Sequence, residues 1–234
     1  MIRKITRTLN QAVLALFVLT FIFTAVEPAI SFGAVTTSQF TISQTVTSEI
    51  SFATPAANVT MSPSLGGITG GTSNGQTQVV VTTNNSTGYN MTLTASSSVG
   101  MIGNASSSNS IPAYTPTVNL VPDYSFTTPS NAARFGYSVA ASSTADNVTL
   151  FKNNGSNACN TGASTNSATS NVTINCWLNA STTAITIINR SLQTPASGAT
   201  STVYFRVNIT SNPSPVIPND TYVATSTLTA TTNP

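Results

Sequence analysis

Residues 77–95 read TQVVVTTNNSTGYNMTLTA, two short runs of alternating apolar and polar residues on either side of a polar turn. Val79 and Val81 share one face of the first run, and Met91 and Leu93 share one face of the second. A two-residue period is the pattern of a β-strand with one buried face. Because the turn contains Asn, Ser, Thr and Gly, the stretch predicts a β-hairpin.

The same alternation recurs along the chain. It covers residues 40–52, 135–139, 172–178, 185–187, 203–209 and 222–230. Threonine, which is frequent on the polar faces, is β-branched and suits a pleated strand. About eight to ten strands that each have one apolar face bury those faces most simply against a second sheet. We therefore expect an all-β protein with a single β-sandwich of the immunoglobulin-like or jelly-roll type.

The N-terminal residues form a separate segment. A short basic stretch, residues 1–7, precedes the apolar run AVLALFVLTFIFTAV at residues 12–26. This is the pattern of a secretory signal. About fifteen apolar residues are fewer than the roughly twenty that a membrane-spanning helix needs, so retention as an anchor is the weaker alternative. We expect a signal helix within residues 1–33, no permanent membrane span, and a secreted or cell-surface bacterial protein.

The remaining residues, 34–234, are expected to form the sandwich domain. Three stretches interrupt the alternation, near residues 62–75, 96–116 and 152–170, and they are rich in Gly, Ser or Asn. Such composition is typical of long polar surface loops. The C-terminal sequence TTNP contains no sorting motif, which predicts release or non-covalent attachment.

Ionisable side chains are scarce. The chain has no histidine, and after residue 34 its charged residues are Glu49, Asp123, Asp146, Asp220, Arg134, Lys152, Arg190 and Arg206. This balance argues against nucleic acid as a partner. Acid–base and metal chemistry have few groups to use, and Asp123 and Asp146 lie in turn-like contexts where carboxylates cap backbone groups. We expect no enzymatic activity, no cofactor and no metal site.

Cys159 and Cys176 are the only cysteines. An exported chain meets an oxidising compartment in many organisms, so we expect a disulfide that closes a loop of about seventeen residues. The alternative is two free thiols.

Trp177 is the only tryptophan. A strand register that turns Cys176 inward turns Trp177 outward, and the same reasoning exposes Tyr204 and Arg206. Exposed rings could stack on a sugar or anchor a protein partner, so Trp177 and Tyr204 are candidate ligand contacts. The alternative, which we favour, is a ring covered by the neighbouring loop.

Two segments resemble bacterial cell-surface β-sandwiches of the WxL type. Residues 78–96, QVVVTTNNSTGYNMTLTAS, resemble the family's strand, turn and second strand, with Tyr89 where the family usually has Trp. Residues 218–234, PNDTYVATSTLTATTNP, resemble its closing strand, although the defining Trp-X-Leu motif is absent. The resemblance implies a secreted sandwich held non-covalently on the Gram-positive wall, often through peptidoglycan.

Two functions follow as hypotheses. The first is a secreted structural or adhesive surface protein that contacts wall polysaccharide or other surface proteins, with a carbohydrate-binding module as a minor variant. The second is a pilus-like filament subunit, in which the strand at residues 36–52 completes the sheet of a neighbouring copy by donor-strand exchange. The alternative for that strand is pairing within its own sandwich.

Overall fold

The computed structural model describes residues 2–25, 33, 36–162 and 168–234. Among the residues outside these ranges are residues 26–32 at the end of the predicted signal segment, residues 34–35 at the start of the predicted sandwich domain, and residues 163–167 in the third predicted loop. The chain divides into two units, residues 1–45 and residues 46–234.

The first unit contains one helix. Helix α1 spans Ile2–Ala25, 24 residues without an internal Gly or Pro to interrupt it. Within the described ranges, no helix combines the length and the apolar character that crossing a membrane requires. Residues 36–45 belong to no helix or strand.

The second unit is built from β-strands, which confirms the predicted all-β class. In the described part of the chain they are β1 Ile50–Thr54, β2 Gly71–Thr83, β3 Tyr89–Ala95, β4 Gly100–Gly103, β5 Ser110–Pro112, β6 Ala133–Ala141, β7 Ile185–Arg190, β8 Ala199–Ile209, β9 Tyr222–Val223 and β10 Ser226–Thr232. Two short 3-10 turns, Thr144–Asp146 and Thr149–Phe151, lie between β6 and β7.

The strands form three antiparallel sheets. A four-stranded sheet has the order β1-β2-β8-β6, and two three-stranded sheets have the orders β10-β3-β7 and β5-β4-β9. Apolar side chains of the first two sheets share one core cluster, in which Val79, Val81, Met91 and Val203 have no exposed surface. Burying each such side chain contributes about 1.5–3 kcal/mol to stability.

The predicted hairpin at residues 77–95 is wrong, although both of its strands exist. Strand β2 pairs with β1 and β8, whereas β3 pairs with β10 and β7. The turn at residues 84–88 therefore carries the chain from one sheet to the next. Gly88 has a φ of +79°, and a Cβ at this position would collide with the carbonyl oxygen of Arg190, so the turn requires glycine.

Strand β6 is buried on both faces from Phe135 to Ala140, and the neighbouring β8 is buried on its outer face at Tyr204. On this outer face Ala140 of β6 and Tyr204 of β8 form a second cluster with four covering side chains: Tyr114, Phe126, Ala168 and Trp177. The covering residues come from the connections before and after β6. This second layer is why Ser138 and Ala140 are buried along with Phe135, Tyr137 and Val139.

Other predicted boundaries also differ. The strand predicted over residues 36–52 is present only from Ile50 onward, and none of residues 36–49 lies in a strand. Residues 172–178 form isolated bridges at Trp177 and Leu178 instead of a strand, and Val172 and Ile174 are exposed. Conversely, β2 begins inside the predicted loop 62–75, and β4 and β5 lie inside the predicted loop 96–116.

Candidate interaction site

The predicted disulfide between Cys159 and Cys176 is confirmed. The two Sγ atoms are 2.07 Å apart, and the two Cα atoms are 5.9 Å apart. Cys176 is 2% exposed and belongs to the core cluster shared by the β1-β2-β8-β6 and β10-β3-β7 sheets, which are called the two large sheets below. The bridge therefore fixes the polar connection around Cys159 to the core.

The predicted exposure of Trp177 is wrong. Its side chain has no exposed surface, its ring lies edge-on to Phe126 at a centroid distance of 5.2 Å, and its Nε1 donates a hydrogen bond to the Thr173 carbonyl at 2.8 Å. The register places Trp177 on the opposite face from Cys176, as expected, but the neighbouring loop covers that face. The alternative of a covered ring therefore describes this residue.

Tyr204 is also buried, contrary to its predicted exposure. It is 6% exposed, and burial raises the pKa of its hydroxyl. Arg206 lies over the same cluster, with its guanidinium carbon 5.8 Å from the ring centre of Phe126 and 6.0 Å from that of Trp177. Burial lowers the pKa of Arg206. These cation–π contacts stabilise a closed aromatic layer and present no open ring face to a ligand.

The carboxylates of this unit bind backbone and side-chain groups of the protein itself. Asp123 accepts a hydrogen bond from the Tyr114 hydroxyl at 2.8 Å, and Asp146 forms an ion pair of 2.6 Å with Arg190. Asp220 accepts hydrogen bonds from backbone amides, first that of Ala105, which lower its pKa. In the described ranges, no three His, Cys, Asp or Glu side chains come together. Through these hydrogen bonds and this ion pair, the carboxylates of Asp123, Asp146 and Asp220 hold the loops between the strands in place.

An open groove of about 650 Å³, lined by both polar and apolar residues, lies at the start of β1. Glu49, Thr83 and Thr194 are among its lining residues. The groove combines a single carboxylate with hydroxyl and amide groups, and it has no exposed aromatic ring among its lining residues.

The strongest candidate for an interaction site is the segment of residues 36–49. Phe40, Ile42 and Val46 are 81%, 84% and 79% exposed, and they occupy the same face of an alternating sequence. Large apolar side chains with this exposure are costly in water unless a partner covers them. The segment contains no Gly, Pro, Asn or Asp, the residues that most often form tight turns.

The point where pairing starts has a clear cause. Ile50, the first residue of β1, pairs with Thr83, the last residue of β2. The Asn84 side chain then completes the end of the pair: its Nδ2 donates to the Thr47 carbonyl at 2.9 Å, and its Oδ1 accepts from the Glu49 amide at 2.7 Å. The alternation of apolar and polar residues continues toward the N-terminus beyond Ile50. Pairing nevertheless stops there because its partner, β2, ends at Thr83.

The edges of the two large sheets differ in how well they are protected. The outer edge of β6 is bridged by Ala113 and Leu178, and that of β7 by Asn147. Strand β1 is short and has a register shift between Phe52 and Thr54, and such bulges discourage further pairing. Strand β10 keeps a regular register with β3 along its seven residues and contains no charged residue or proline.

The backbone register shows which groups of β10 face outward. Thr225 and Asn233, just outside the two ends of the strand, both bond toward β3, through Ser96 N to Thr225 O and Asn233 N to Gly88 O. Because bonded and non-bonded pairs alternate in an antiparallel ladder, the amide and carbonyl groups of Leu228 and Ala230 point away from β3. Both side chains are half-buried against the core, beside β1.

Comparisons with known proteins give no assignment. No protein-family model matches the chain, and no similar curated protein is found.

Proposed function

We propose that this protein is an exported, non-catalytic surface subunit that self-assembles through residues 36–49. The observation that carries the proposal is the exposure of Phe40, Ile42 and Val46 in a segment that has strand-like alternation and lies in no strand. Among the described residues, residues 36–46 make no backbone–backbone hydrogen bond, so most of their backbone donors and acceptors are open to a partner strand. Adding it to a sheet edge of another copy would satisfy those groups and cover the apolar side chains.

Pairing in a second copy is favoured over pairing within the same chain. A return to its own sheet edge would require a reversal between Val46 and Ile50, and this connection, Thr47-Ser48-Glu49, contains no Gly, Pro, Asn or Asp. Residues 47–49 are moreover held in line with β1 by the hydrogen bonds of Asn84. These hydrogen bonds oppose a reversal of the chain within residues 47–49.

The proposed architecture is a single β-sandwich preceded by a signal helix. The shared core of the β1-β2-β8-β6 and β10-β3-β7 sheets supports the sandwich. The basic residues before the apolar part of α1, together with the Cys159–Cys176 disulfide, support export to an oxidising compartment. A bacterial envelope location fits both.

The test compares two faces of the same segment. The full chain is expressed in a secretory host, and the exported protein is studied by light scattering and electron microscopy. In one variant Phe40, Ile42 and Val46 are all replaced by Gln; in the matched control Thr41, Ser43 and Thr45 are all replaced by Gln. We expect polymers from the native protein and the control, and monomers from the first variant, because only the apolar face would be covered in the assembly.

A native exported protein that stays monomeric at high concentration would contradict the proposal. Equal assembly of the two variants would also contradict it, since assembly would then not depend on the apolar face.

The adhesive alternative stays a prediction with weaker support. Its two candidate contacts, Trp177 and Tyr204, are buried, and the open groove beside Glu49 has no exposed ring on which a sugar could stack. Wall binding of the WxL type likewise stays a prediction from two short resemblances.

A further inference from the structure

We propose that the outer edge of β10 is the acceptor for residues 40–46 of a second copy. This inference rests on the proposed self-assembly and specifies where it happens. The docked segment would become a new edge strand of the β10-β3-β7 sheet, with its apolar face toward the core and its hydroxyl face toward solvent.

Backbone groups are the first basis for this assignment. Leu228 and Ala230 direct their amide and carbonyl groups away from β3, and in the described part of the chain no backbone hydrogen bond reaches that edge. An unpaired, regular edge is a template for another strand. Of the four edges of the β1-β2-β8-β6 and β10-β3-β7 sheets, those of β6 and β7 are bridged and β1 is irregular, so β10 is the regular edge left unpaired among the described residues.

Side-chain chemistry is the second basis. Leu228 and Ala230 are half-buried members of the core surface, and Ile50 and Phe52 of the adjacent β1 are half-buried as well. Phe40, Ile42 and Val46 would cover these residues from the side. The exposed residues of β10, such as Thr229, would lie beside the hydroxyl face of the docked segment.

Length and charge agree with this pairing. Strand β10 has seven residues, and seven residues run from Phe40 to Val46. Neither stretch contains a charged residue, so no like-charge repulsion opposes their approach and no ion pair is needed to align them. An uncharged segment of this length with one apolar face, such as residues 40–46 of a second copy, is therefore compatible with the edge.

Engineered cysteines test the contact directly. Ser43 and Thr229 are the central residues of the two stretches, so in the register that pairs all seven residues they lie opposite each other whether the strands dock parallel or antiparallel. The variant carries both Ser43→Cys and Thr229→Cys in the full exported chain. We expect a ladder of disulfide-linked multimers on a non-reducing denaturing gel, and loss of the ladder on reduction.

The matched control carries Ser43→Cys with Thr186→Cys. Thr186 and Thr229 are both exposed and flank the same residue, Thr92, on opposite sides of β3, so they differ mainly in the edge on which they lie. We expect no ladder from the control. Equal ladders from both variants, or a bridge within single chains, would overturn the β10 assignment.

A proline provides a second test that does not depend on cysteine chemistry. Ala230→Pro removes an amide that points outward and leaves the hydrogen bonds to β3 in place. We expect the concentration at which polymers form to rise about tenfold, the effect of losing roughly one hydrogen bond, while the fluorescence of buried Trp177 shows that the fold is intact. Unchanged assembly would overturn the assignment.

The outcomes separate the two proposals. Polymers that depend on Phe40, Ile42 and Val46 but give no ladder through Thr229 would reject the β10 edge and leave self-assembly standing. A monomeric native protein would reject both.

Discussion

Tyr137 illustrates how single buried residues control the stability of a chain with few charges. It is 1% exposed, and its hydroxyl has no hydrogen-bond partner among the described residues. Burial raises the pKa of Tyr137, and burial also raises the pKa of Tyr89 and of Tyr114 to about 12. Their unfolded pKa is about 10, so the stabilisation is complete below pH 10 and is lost as the pH rises toward the folded values.

Replacing Tyr137 by Phe tests this dependence. The free energy of unfolding should fall by about 1.4 kcal/mol per pH unit above pH 10 for each such tyrosine, so Tyr137→Phe should lose less stability than the native protein. Near pH 8 we expect the variant to be as stable or about 1 kcal/mol more stable, because an unpaired buried hydroxyl is removed. Urea unfolding followed by far-ultraviolet circular dichroism, at pH 8 and above pH 10, measures the difference in unfolding free energy between the variant and the native protein.

The control for this prediction is Tyr124→Phe, because Tyr124 is only half-buried. Identical alkaline losses in the native protein and Tyr137→Phe would show that Tyr137 ionises as easily in the folded protein as in the unfolded chain.

At the scale of elements, the disulfide holds together a part of the molecule that has little regular structure. Cys159 lies in a polar connection and Cys176 in the core, and their sequence separation is 17. Closing a loop of that length stabilises a protein by about 3 kcal/mol on the chain-entropy estimate. The double variant Cys159→Ala with Cys176→Ala should lose about this amount in denaturant unfolding and retain its strand content by circular dichroism.

Assembly provides the control for that experiment. Neither cysteine belongs to residues 40–46 or to β10, the two parts of the proposed contact, so the folded double variant should still polymerise. A double variant as stable as the native protein would show that packing alone fixes the connection around Cys159.

The sequence predicted those elements whose signal is local. Strands β2, β3, β6 and β8 and the buried residues of their inner faces follow from a two-residue period, because burial on one face is encoded residue by residue; the burial of Ala140 and Tyr204 on the outer face does not. Strand partners are not local. A turn at residues 84–88 is compatible with a hairpin in one sheet and with a crossing to another sheet. The two edges of β2 are in fact paired with β1 and with β8, and β8 is far away in sequence.

The candidate site shows the same limit. The register placed Trp177 on the correct face but could not show that residues around Thr173 cover it. For residues 36–49, the alternation predicted the ability to form a strand, while the end of β2 at Thr83 determined that only β1 is paired. The pairing of Thr83 with Ile50 could not be predicted locally, because it depends on the register of the whole sheet.

At the scale of the whole molecule, near-neutral charge sets the conditions under which assembly occurs. After residue 34 the four acidic residues are balanced by four basic ones, and residues 36–48 and β10 have none. Between about 0.01 M and 1 M salt the screening length falls from about 30 Å to 3 Å, which weakens interactions between surface charges. Assembly driven by backbone pairing and apolar burial should therefore change little, and sulfate should strengthen it.

The corresponding measurement is the concentration at which polymers form, followed by light scattering at the two salt concentrations. We expect a change of no more than about threefold in sodium chloride. A Thr41→Lys variant is the control: it places one like charge on every docked segment, so its assembly should weaken at low salt and recover at high salt. If the native polymer dissolved at high salt, charged residues outside the proposed contact would have to hold it together, and the uncharged edge of β10 would not be the main interface.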